Sequence, residues 1–341
     1  MDGLPPAFDS RTLEARLLDR RFGDVAERRG GAAGSRQRTL KRPIGCVGVG
    51  LHSGRRVELT IAPAPANSGI VFHRTDLGPT PVEIAARYDR VVDTRLCTVL
   101  ASAARPEAGV GTVEHLLAAL AGSFVDNAVI TIDGPEVPVL DGSAAPFLFL
   151  LDCAGIVDQE TPRRWIEILR PVRVTEGEGS VALLPAAAGA PLGLDMAMTI
   201  DFAASAIGHQ DLALRLDPLS LRHDLAAART FTLAAEIAHL RATGRALGGS
   251  LENAVVVDGA RVLNPGGLRM PDEFVRHKLL DAVGDLALAG AALHGRFVGR
   301  CSGHALNNRL LRALFADPGA WREVGSSQTP AGASRPLVAA A

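Results

Sequence analysis

The sequence predicts an α+β protein made of two similar units, on three observations. The chain has 341 residues, enough for about two domains with a core each. Short alternating strands followed by helices run from Thr39, and the same cycle restarts after Thr161. Each half also has a helical pattern with a histidine near its start, at 113–120 and 275–282. Chance similarity of two amphipathic helices is the alternative to an internal repeat.

The first unit has clear strand and helix signals. Residues 48–54 predict a turn, and 56–61 alternate apolar and polar residues at period two, as in a half-buried strand. Helices are predicted over 113–122 and 144–154, where strong helix formers are frequent. The β-branched stretch 127–132 predicts a strand between them.

The second unit repeats this change from strands to helices. Its predicted elements are strands near 165–175, 179–185 and 194–201, helices near 219–228 and 233–242, a hairpin of 253–258 with 261–263, a helix through His277, a strand at 295–300 and a helix at 304–316. We therefore place the two α+β domains at 36–160 and 161–317 and assign 318–341 to a C-terminal tail.

Residues 1–35 differ in character from the rest of the chain. They contain one short amphipathic pattern at 9–21 and a Gly-rich stretch at 28–35 that is typical of a flexible linker. We interpret them as a flexible N-terminal extension to which the sequence assigns no role. A start codon assigned too far upstream is the alternative.

The composition excludes several classes of function. Lysine and arginine number 36 against 37 for aspartate and glutamate, so there is no basic field for nucleic acid. No apolar run reaches the roughly eighteen residues of a transmembrane helix. The N-terminal residues also lack the basic and apolar regions of a secretory signal. We predict a cytoplasmic protein without stable membrane insertion.

The four cysteines indicate reduced thiols. Cys46, Cys97, Cys153 and Cys301 show no Cys-x-x-Cys spacing. Cys97 lies in residues 93–100, which we predict to be a strand. A thiolate can bind zinc, but free cysteine commonly packs as a small apolar residue, so we favour packing for Cys97.

The most informative stretch is the helical pattern around His277. His277, Asp281 and Asp285 follow one another at intervals of four residues, which places them along one side of a helix. An imidazole and a carboxylate one turn apart can bind the same divalent ion. A half-buried helix with a polar edge is the alternative for so short a pattern.

Two other segments supply partners for this helix. Glu114 and His115 stand at the start of the upstream helix, and His304 follows a turn of small residues. Catalytic zinc usually has three protein ligands and one open position, and His115, His277 and Asp281 would provide the three. Glu114 and His304 then remain as candidates for proton transfer.

A series of different short motifs extends along most of the chain, over about residues 36–315. They are 37–42 (QRTLKR), 48–54 (GVGLHSG), 63–69 (PAPANSG), 74–76 (RTD), 93–98 (DTRLCT), 112–116 (TVEHL), 138–143 (PVLDGS), 228–231 (ARTF), 247–250 (LGGS), the His277 helix and 302–308 (SGHALNN). In this order they resemble the motifs of the UDP-3-O-acyl-N-acetylglucosamine deacetylases, the zinc amidases of bacterial lipid A biosynthesis.

The resemblance implies a fold, a cofactor and a reaction. The fold would be a duplicated sandwich, each domain a mostly antiparallel sheet layered with helices, with the active site at the interface. One catalytic Zn²⁺ would be bound, although the ligand set also tolerates Fe²⁺. The reaction would hydrolyse the N-acetyl group of UDP-3-O-(3-hydroxyacyl)-N-acetylglucosamine, an early committed step of lipid A biosynthesis. We expect a monomer that binds this UDP-linked sugar and no nucleic acid.

The resemblance also implies roles for individual residues. Glu114 would act as general base, and His304 as general acid or oxyanion stabiliser, with Asp285 orienting its imidazole. Lys278 matches a lysine of the family's site. Thr230 would donate a hydrogen bond to the tetrahedral oxyanion.

Residues for substrate recognition are less distinct. We assign Lys278, Phe231 and Arg300 to substrate binding, and we expect an insert around 203–214 to enclose the acyl chain. Cys301 stands where the family often has a basic residue, so Arg300 beside it is the predicted substitute for a phosphate contact. The sequence does not determine the acyl-chain length or the native metal.

The remaining histidines lack ligand-like partners in the sequence. We predict that none of them binds the metal and that His52 lies in a turn. The others are expected at the surface: His73, His209, His223, His239 and His294.

Two other functions stay open at this point. One is a zinc deacetylase acting on a different N-acetylated sugar. The other is a binding or regulatory protein with a structural zinc, which would need a closed site of four ligands. Three ligands with unused acid–base residues favour an open catalytic site instead.

Overall fold

A computed structural model gives the structure of residues 36–325. The predicted extension at 1–35, with its helical pattern at 9–21, and the predicted tail after Gly325 lie outside the described residues. Within 36–325 helices are layered with sheets of mostly antiparallel strands, which confirms the predicted α+β class. None of the helices in this range is long and apolar enough to cross a membrane.

The first half of the described chain is mainly strands. These are β1 (Arg36–Leu40), β2 (Ile44–Val49), β3 (Arg56–Pro63), β4 (Ile70–Arg74), β5 (Val82–Ala85), β6 (Val91–Asp93), β7 (Val99–Ala101), β8 (Gly109–Val110), β9 (Ala128–Ile132) and β10 (Ile156–Pro162). A 3₁₀ turn covers Tyr88–Arg90, and the helices are α1 (Glu114–Gly122) and α2 (Ala145–Ala154).

The second half follows the same plan. Its strands are β11 (Arg164–Ile168), β12 (Val172–Glu176), β13 (Gly179–Leu184), β14 (Leu194–Asp201), β15 (His209–Leu216), β16 (Phe231–Leu233), β17 (Val255–Asp258), β18 (Arg261–Val262), β19 (Ala292–Arg300) and β20 (Trp321–Gly325). Its helices are α3 (Pro218–Ser220), a π-helical turn (Leu221–Leu225), α4 (Ala234–Ala242), α5 (Glu273–Ala287) and α6 (His304–Ala316).

The order of strands shows that one unit occurs twice. The first sheet runs β2-β3-β9-β4-β5, and the second contains the order β12-β13-β19-β14-β15. Within these five strands each sheet has one parallel pair, β4 with β9 and β14 with β19, and the other pairs are antiparallel. The first and last strands of each unit also pair, β1 with β10 and β11 with β20. The predicted internal repeat is therefore confirmed.

The two units meet where α1 packs along α5. Each of these helices precedes the central strand of its own sheet, β9 or β19. Leu117 and Leu120 of α1 and Val283 and Leu286 of α5 are buried in one hydrophobic core that spans both halves. At Gly284 the helices lie so close that an added Cβ would collide with the Glu114 carbonyl oxygen. Glycine is therefore required at this crossing.

The predicted strand at 93–100 is wrong. β6 ends at Asp93 and β7 begins at Val99, with a turn between them in which Leu96 has φ +71°. The Asp93 carboxylate accepts the backbone N–H of Arg95 over 2.9 Å. Such a local bond favours a turn over an extended strand. Cys97 is buried in this turn as a free thiol, as the packing interpretation expected.

The expected insert at 203–214 is also wrong. Residues 209–214 belong to β15, which pairs with β14 in unbroken register from Leu194↔Leu216 to Asp201↔His209. Gly208, at φ +60°, closes the turn of this hairpin. The segment of the second half that lies outside the main sheet is instead a three-stranded sheet of β16, β17 and β18 with α4. Residues 209–214 thus belong to a strand of the main sheet.

Two further predictions need correction. The helix expected near 219–228 is limited to α3 and the π-helical turn, because the Ala226 N–H donates to Leu221 O and ends regular α-helical bonding. His294 is buried in β19, a strand covered on both faces, whereas we predicted it at the surface. His209, His223 and His239 are exposed as predicted, and His73 and His52 are half-buried.

The proposed limits of the two domains stay a prediction, with one amendment. The C-terminal limit at 317 leaves out β20, which pairs antiparallel with β11 from Arg164↔Gly325 to Ile168↔Trp321. Part of the predicted tail is therefore a strand of the second sheet.

We expect Gly284→Ala to destabilise the protein, although alanine is the better helix former by about 1 kcal/mol. The new methyl group would meet the Glu114 backbone, which cannot rotate away as a side chain can. Overpacking of this kind typically costs about 1–3 kcal/mol. Urea denaturation measures the change in the free energy of unfolding. Gly266→Ala is the matched control, because nothing lies within 4 Å of its Cβ position. Equal stability of the two variants would contradict the tight crossing.

Candidate metal centre and active site

Helix α5 carries three of the predicted site residues on its buried side. His277, Asp281 and Asp285 are 3%, 4% and 2% exposed. Apolar neighbours hold this side of the helix in the core, and they are Val275, Leu279, Ala282, Val283 and Leu286. The i, i+4 spacing places Asp281 Oδ1 3.3 Å from His277 Nε2. The stripe predicted from the sequence therefore faces the interior.

Helix α1 brings Glu114 and His115 to the same place. Both are buried, and the His115 Nε2 lies 3.7 Å from Asp281 Oδ1. The imidazoles of His115 and His277 meet edge to face with 5.0 Å between ring centroids. Donor atoms of His115, His277 and Asp281 lie within 4.8 Å of one another. The close helix crossing thus assembles a possible three-donor metal site from both units.

The chemistry of these donors fits a divalent ion. Asp281 Oδ1 is buried and has no hydrogen-bond partner in residues 36–325. His277 Nδ1 lies 3.0 Å from the Ala228 carbonyl oxygen, which can only accept, so Nδ1 carries the proton and the Nε2 lone pair is free. Burial lowers the pKa of His277 to about 4, so its imidazole is neutral near pH 7. A neutral imidazole and an oxygen without a donor are what a metal needs.

Lys278 balances the charge of the carboxylate. Its Nζ donates to Asp281 Oδ2 over 2.9 Å. Burial would raise the pKa of Asp281, but the adjacent His277 ring and the positive charge of Lys278 lower that pKa well below its usual range. Asp281 therefore stays ionised, with Oδ2 bound to the lysine and Oδ1 directed between the imidazoles.

Glu114 and His304 face each other beside the three donors. His304 Nε2 lies 3.9 Å from Glu114 Oε1, and His304 Nδ1 lies 2.9 Å from Asp285 Oδ2. Burial alone would lower the pKa of His304, but the carboxylates of Asp285 and Glu114 raise it to about 9. Burial also raises the pKa of Glu114 above its ordinary value. A carboxylate of increased basicity thus faces an imidazolium.

Two residues of this network carried no role in the sequence analysis. Thr98 Oγ1 donates to Asp285 Oδ1 over 2.6 Å, and the Thr98 N–H donates to Glu114 Oε2 over 3.1 Å. Asn307 Nδ2 donates to Asp285 Oδ2 over 2.9 Å. Asn307 follows His304 by three residues on α6, so helical spacing could have revealed it. For Thr98 the sequence offers only its place in the 93–98 motif.

The remaining predicted residues lie at different distances from this centre. The Phe231 ring is 6.2 Å from the His277 ring and 5.0 Å from that of Phe274. Thr230 follows two residues after Ala228, and its N–H donates to Gly142 O over 2.8 Å. Arg300 is exposed at the end of β19, and no hydrogen bond or ion pair within residues 36–325 joins it to the other site residues.

Comparison with known proteins shows the family to which the chain belongs. A model of the UDP-3-O-acyl N-acetylglycosamine deacetylase family matches residues 37–316. The chain belongs to this family. The UDP-3-O-acyl-N-acetylglucosamine deacetylase of Phenylobacterium zucineum (strain HLK1) is 51% identical over 286 residues, which cover 84% of this chain and 95% of that protein. The resemblance stated from the motifs is confirmed.

Members of the same family from Shewanella are similar to a comparable degree. The UDP-3-O-acyl-N-acetylglucosamine deacetylase of Shewanella baltica (strain OS155 / ATCC BAA-1091) is 49% identical over 292 residues, covering 84% of this chain and 92% of that protein. The protein of that name from Shewanella oneidensis is 48% identical over the same length. Both alignments span most of the structure described above.

We expect Thr98→Val to lower the free energy of unfolding by about 1–3 kcal/mol, because it leaves the buried Asp285 Oδ1 without a donor. The variant keeps the side-chain volume and the backbone N–H that binds Glu114. Thr98→Ser keeps the hydroxyl and serves as the matched control. Urea denaturation compares the two, and a valine variant as stable as the serine variant would show that the 2.6 Å bond contributes nothing.

Proposed function

We propose that the protein hydrolyses the N-acetyl group of UDP-3-O-(3-hydroxyacyl)-N-acetylglucosamine, giving acetate and the free amine, in lipid A biosynthesis. One observation carries the proposal: a basic carboxylate, Glu114, and an imidazolium, His304, face each other 3.9 Å apart beside three convergent metal donors. Amide hydrolysis needs this combination, because one proton must leave the attacking water and one must reach the departing amine. Membership of the deacetylase family supports the substrate.

His115, His277 and Asp281 would hold the metal, which we propose to be Zn²⁺, with Fe²⁺ as an acceptable replacement. When bound, the ion supplies a Lewis acid for the acetamide carbonyl and lowers the pKa of a coordinated water to about 7. Asp281 is positioned for this role by Lys278, and His277 by the Ala228 carbonyl. Three protein ligands would match the donor number of catalytic zinc sites.

Proton transfer would be carried out by the chain's own residues. Glu114 takes a proton from the attacking water while the oxygen–carbon bond to the acetyl group forms. His304 then gives its Nε2 proton to the nitrogen as the carbon–nitrogen bond breaks, which releases acetate and the amine. Asp285, held by Thr98 and Asn307, keeps the His304 ring oriented and favours its cationic form.

Substrate contacts are proposed for four further residues. The Thr230 hydroxyl would donate to the tetrahedral oxyanion. Lys278 would add positive charge, and Phe231, beside His277, would form an apolar wall. Arg300, exposed at the end of β19, would contact a phosphate from outside the buried centre. We also propose that the protein works in the cytoplasm as a monomer, with no nucleic-acid partner and no stable membrane insertion.

The proposal is tested by acetate release from the acylated UDP-sugar with purified, zinc-loaded protein. We expect turnover by the wild type and a loss of about a hundredfold to ten-thousandfold in Glu114→Ala, because general-base catalysis contributes this much. Metal content measured in the same samples is the control for loss of the metal. No acetate from folded, zinc-containing wild type would sink the assignment.

A substrate without the acyl chain separates the proposed reaction from the action of a general sugar deacetylase. We expect kcat/KM to fall when the chain is absent, because remote contacts help to position the acetamide. Equal kcat/KM for both substrates would favour another N-acetylated sugar as the natural substrate.

The pH profile of kcat/KM provides an independent test. Glu114 acts when deprotonated, so activity is lost as the pH falls through its raised pKa. His304 acts when protonated, so activity is lost as the pH rises through about 9. Asp285→Asn removes a carboxylate that raises the pKa of His304, so its alkaline limb should move to lower pH. An alkaline limb that stays in place would mean that His304 is not the acid.

A further inference from the structure

A buried ion pair joins the start of α5 to the segment before β16. Arg229 is 8% exposed, and Glu273, the first residue of α5, is 0% exposed. Arg229 Nε donates to Glu273 Oε1 over 2.8 Å, and Arg229 Nη2 donates to Oε2 over 3.1 Å. The Arg229 backbone N–H also donates to Oε1 over 3.0 Å. Side chain and backbone of one residue are therefore fixed to the same carboxylate.

Stability alone is a poor explanation for such a pair. Burial would raise the pKa of Glu273, but hydrogen bonds from Arg229 and the Arg269 N–H lower it, so the carboxylate is ionised. Replacing a buried ion pair by apolar residues is often neutral or stabilising, because the charges give up their hydration. Such a pair can instead specify geometry.

The residue next to this pair contacts a candidate metal ligand. Ala228 directly precedes Arg229, and its carbonyl oxygen lies 3.0 Å from His277 Nδ1. His277 in turn lies one helical turn after Glu273 on α5. Two links thus join the same two segments, the ion pair and the imidazole–carbonyl bond. If Ala228 moved relative to α5, the hydrogen bonds from Arg229 to Glu273 would lengthen as well.

The other candidate histidine ligand has no comparable support. His115 Nδ1 is buried without a hydrogen-bond partner in the described part of the chain. Of the two imidazoles, that of His277 is therefore the one whose ring is fixed through Nδ1. Hydrogen bonds of this type set the tautomer and direction of metal-binding histidines.

We propose that the Arg229–Glu273 pair is a positioning unit for the metal centre, which holds the Ala228 carbonyl where it orients His277. The proposal rests on the proposed function in one respect, that His277 binds the metal. Disturbing a hydrogen bond to a metal-binding histidine typically lowers metal affinity by about 10- to 100-fold. We expect a loss of this size when the pair is removed.

The test uses the full chain with the double substitution Arg229→Met/Glu273→Gln. Glutamine keeps an acceptor for the Arg269 N–H, and removing both charges avoids an unpaired buried ion. Zn²⁺ affinity is measured by competition with a chelator. The visible absorption of the Co²⁺-substituted protein reports ligand geometry. Neither readout needs substrate or turnover.

A second ion pair, between the buried Arg163 and the half-buried Asp126, supplies a control in the same chain. Arg163 Nε lies 3.0 Å from Asp126 Oδ1, with side chains 3% and 15% exposed. Asp126 Oδ2 also accepts the Arg38 N–H over 2.9 Å, as Glu273 accepts that of Arg269. This pair joins the turn after α1 to the start of β11, at the other end of α1 from His115. Arg163→Met/Asp126→Asn is therefore the control variant.

We expect the Arg229→Met/Glu273→Gln variant to lose about 10- to 100-fold in Zn²⁺ affinity and to change the Co²⁺ spectrum, while the control keeps wild-type values. Equal losses in both variants, or none in either, would overturn the proposal. Should the double variant fail to fold, Arg229→Lys against Arg163→Lys gives the same comparison. The Zn²⁺ affinity of the variants is measured without turnover. Failure of the wild type to release acetate would therefore contradict the proposed reaction and leave the result on metal affinity unchanged.

Discussion

The approach of α1 to α5 at Gly284 is the contact on which the rest of the structure depends. Neither unit holds a complete site: the first contributes Glu114 and His115, and the second contributes His277 and Asp281. A methyl group at Gly284 would occupy the space of the Glu114 backbone. Because the helices touch at this level, donors from both units come within 4.8 Å of one another. The crossing of α1 and α5 therefore determines both the packing of the two units and the position of the donor atoms.

The electrostatics of the centre follow from this burial. Three buried carboxylates, Glu114, Asp281 and Asp285, face the half-buried Lys278 and the buried His304 in a space where charges are poorly screened. The cluster has an excess of negative charge, which a divalent cation would reverse. Burial and the close spacing of these charges also shift the pKa values of two carboxyl groups in opposite directions. Asp281 is kept ionised by its cationic neighbours, whereas Glu114 becomes more basic through burial.

The placement of candidate site residues on long helices could be predicted from the sequence. The spacing of His277, Asp281 and Asp285 is a property of the helix itself, and α6 begins at His304 as expected. Features that depend on one local hydrogen bond, or on residues distant in the sequence, could not be predicted in this way. The turn before Thr98 is decided by the Asp93 carboxylate. The Arg229–Glu273 pair links residues 44 positions apart, which no local pattern encodes.

The short connection between the two units affects how they assemble. β10 ends at Pro162 and β11 begins at Arg164, so a single residue, Arg163, connects them. Halves joined so closely meet at a very high effective concentration, and their docking is an intramolecular step. Two separate chains of this kind would instead depend on their cellular abundance to form the same centre. Covalent fusion of the repeats thus makes assembly of the candidate metal centre independent of protein concentration.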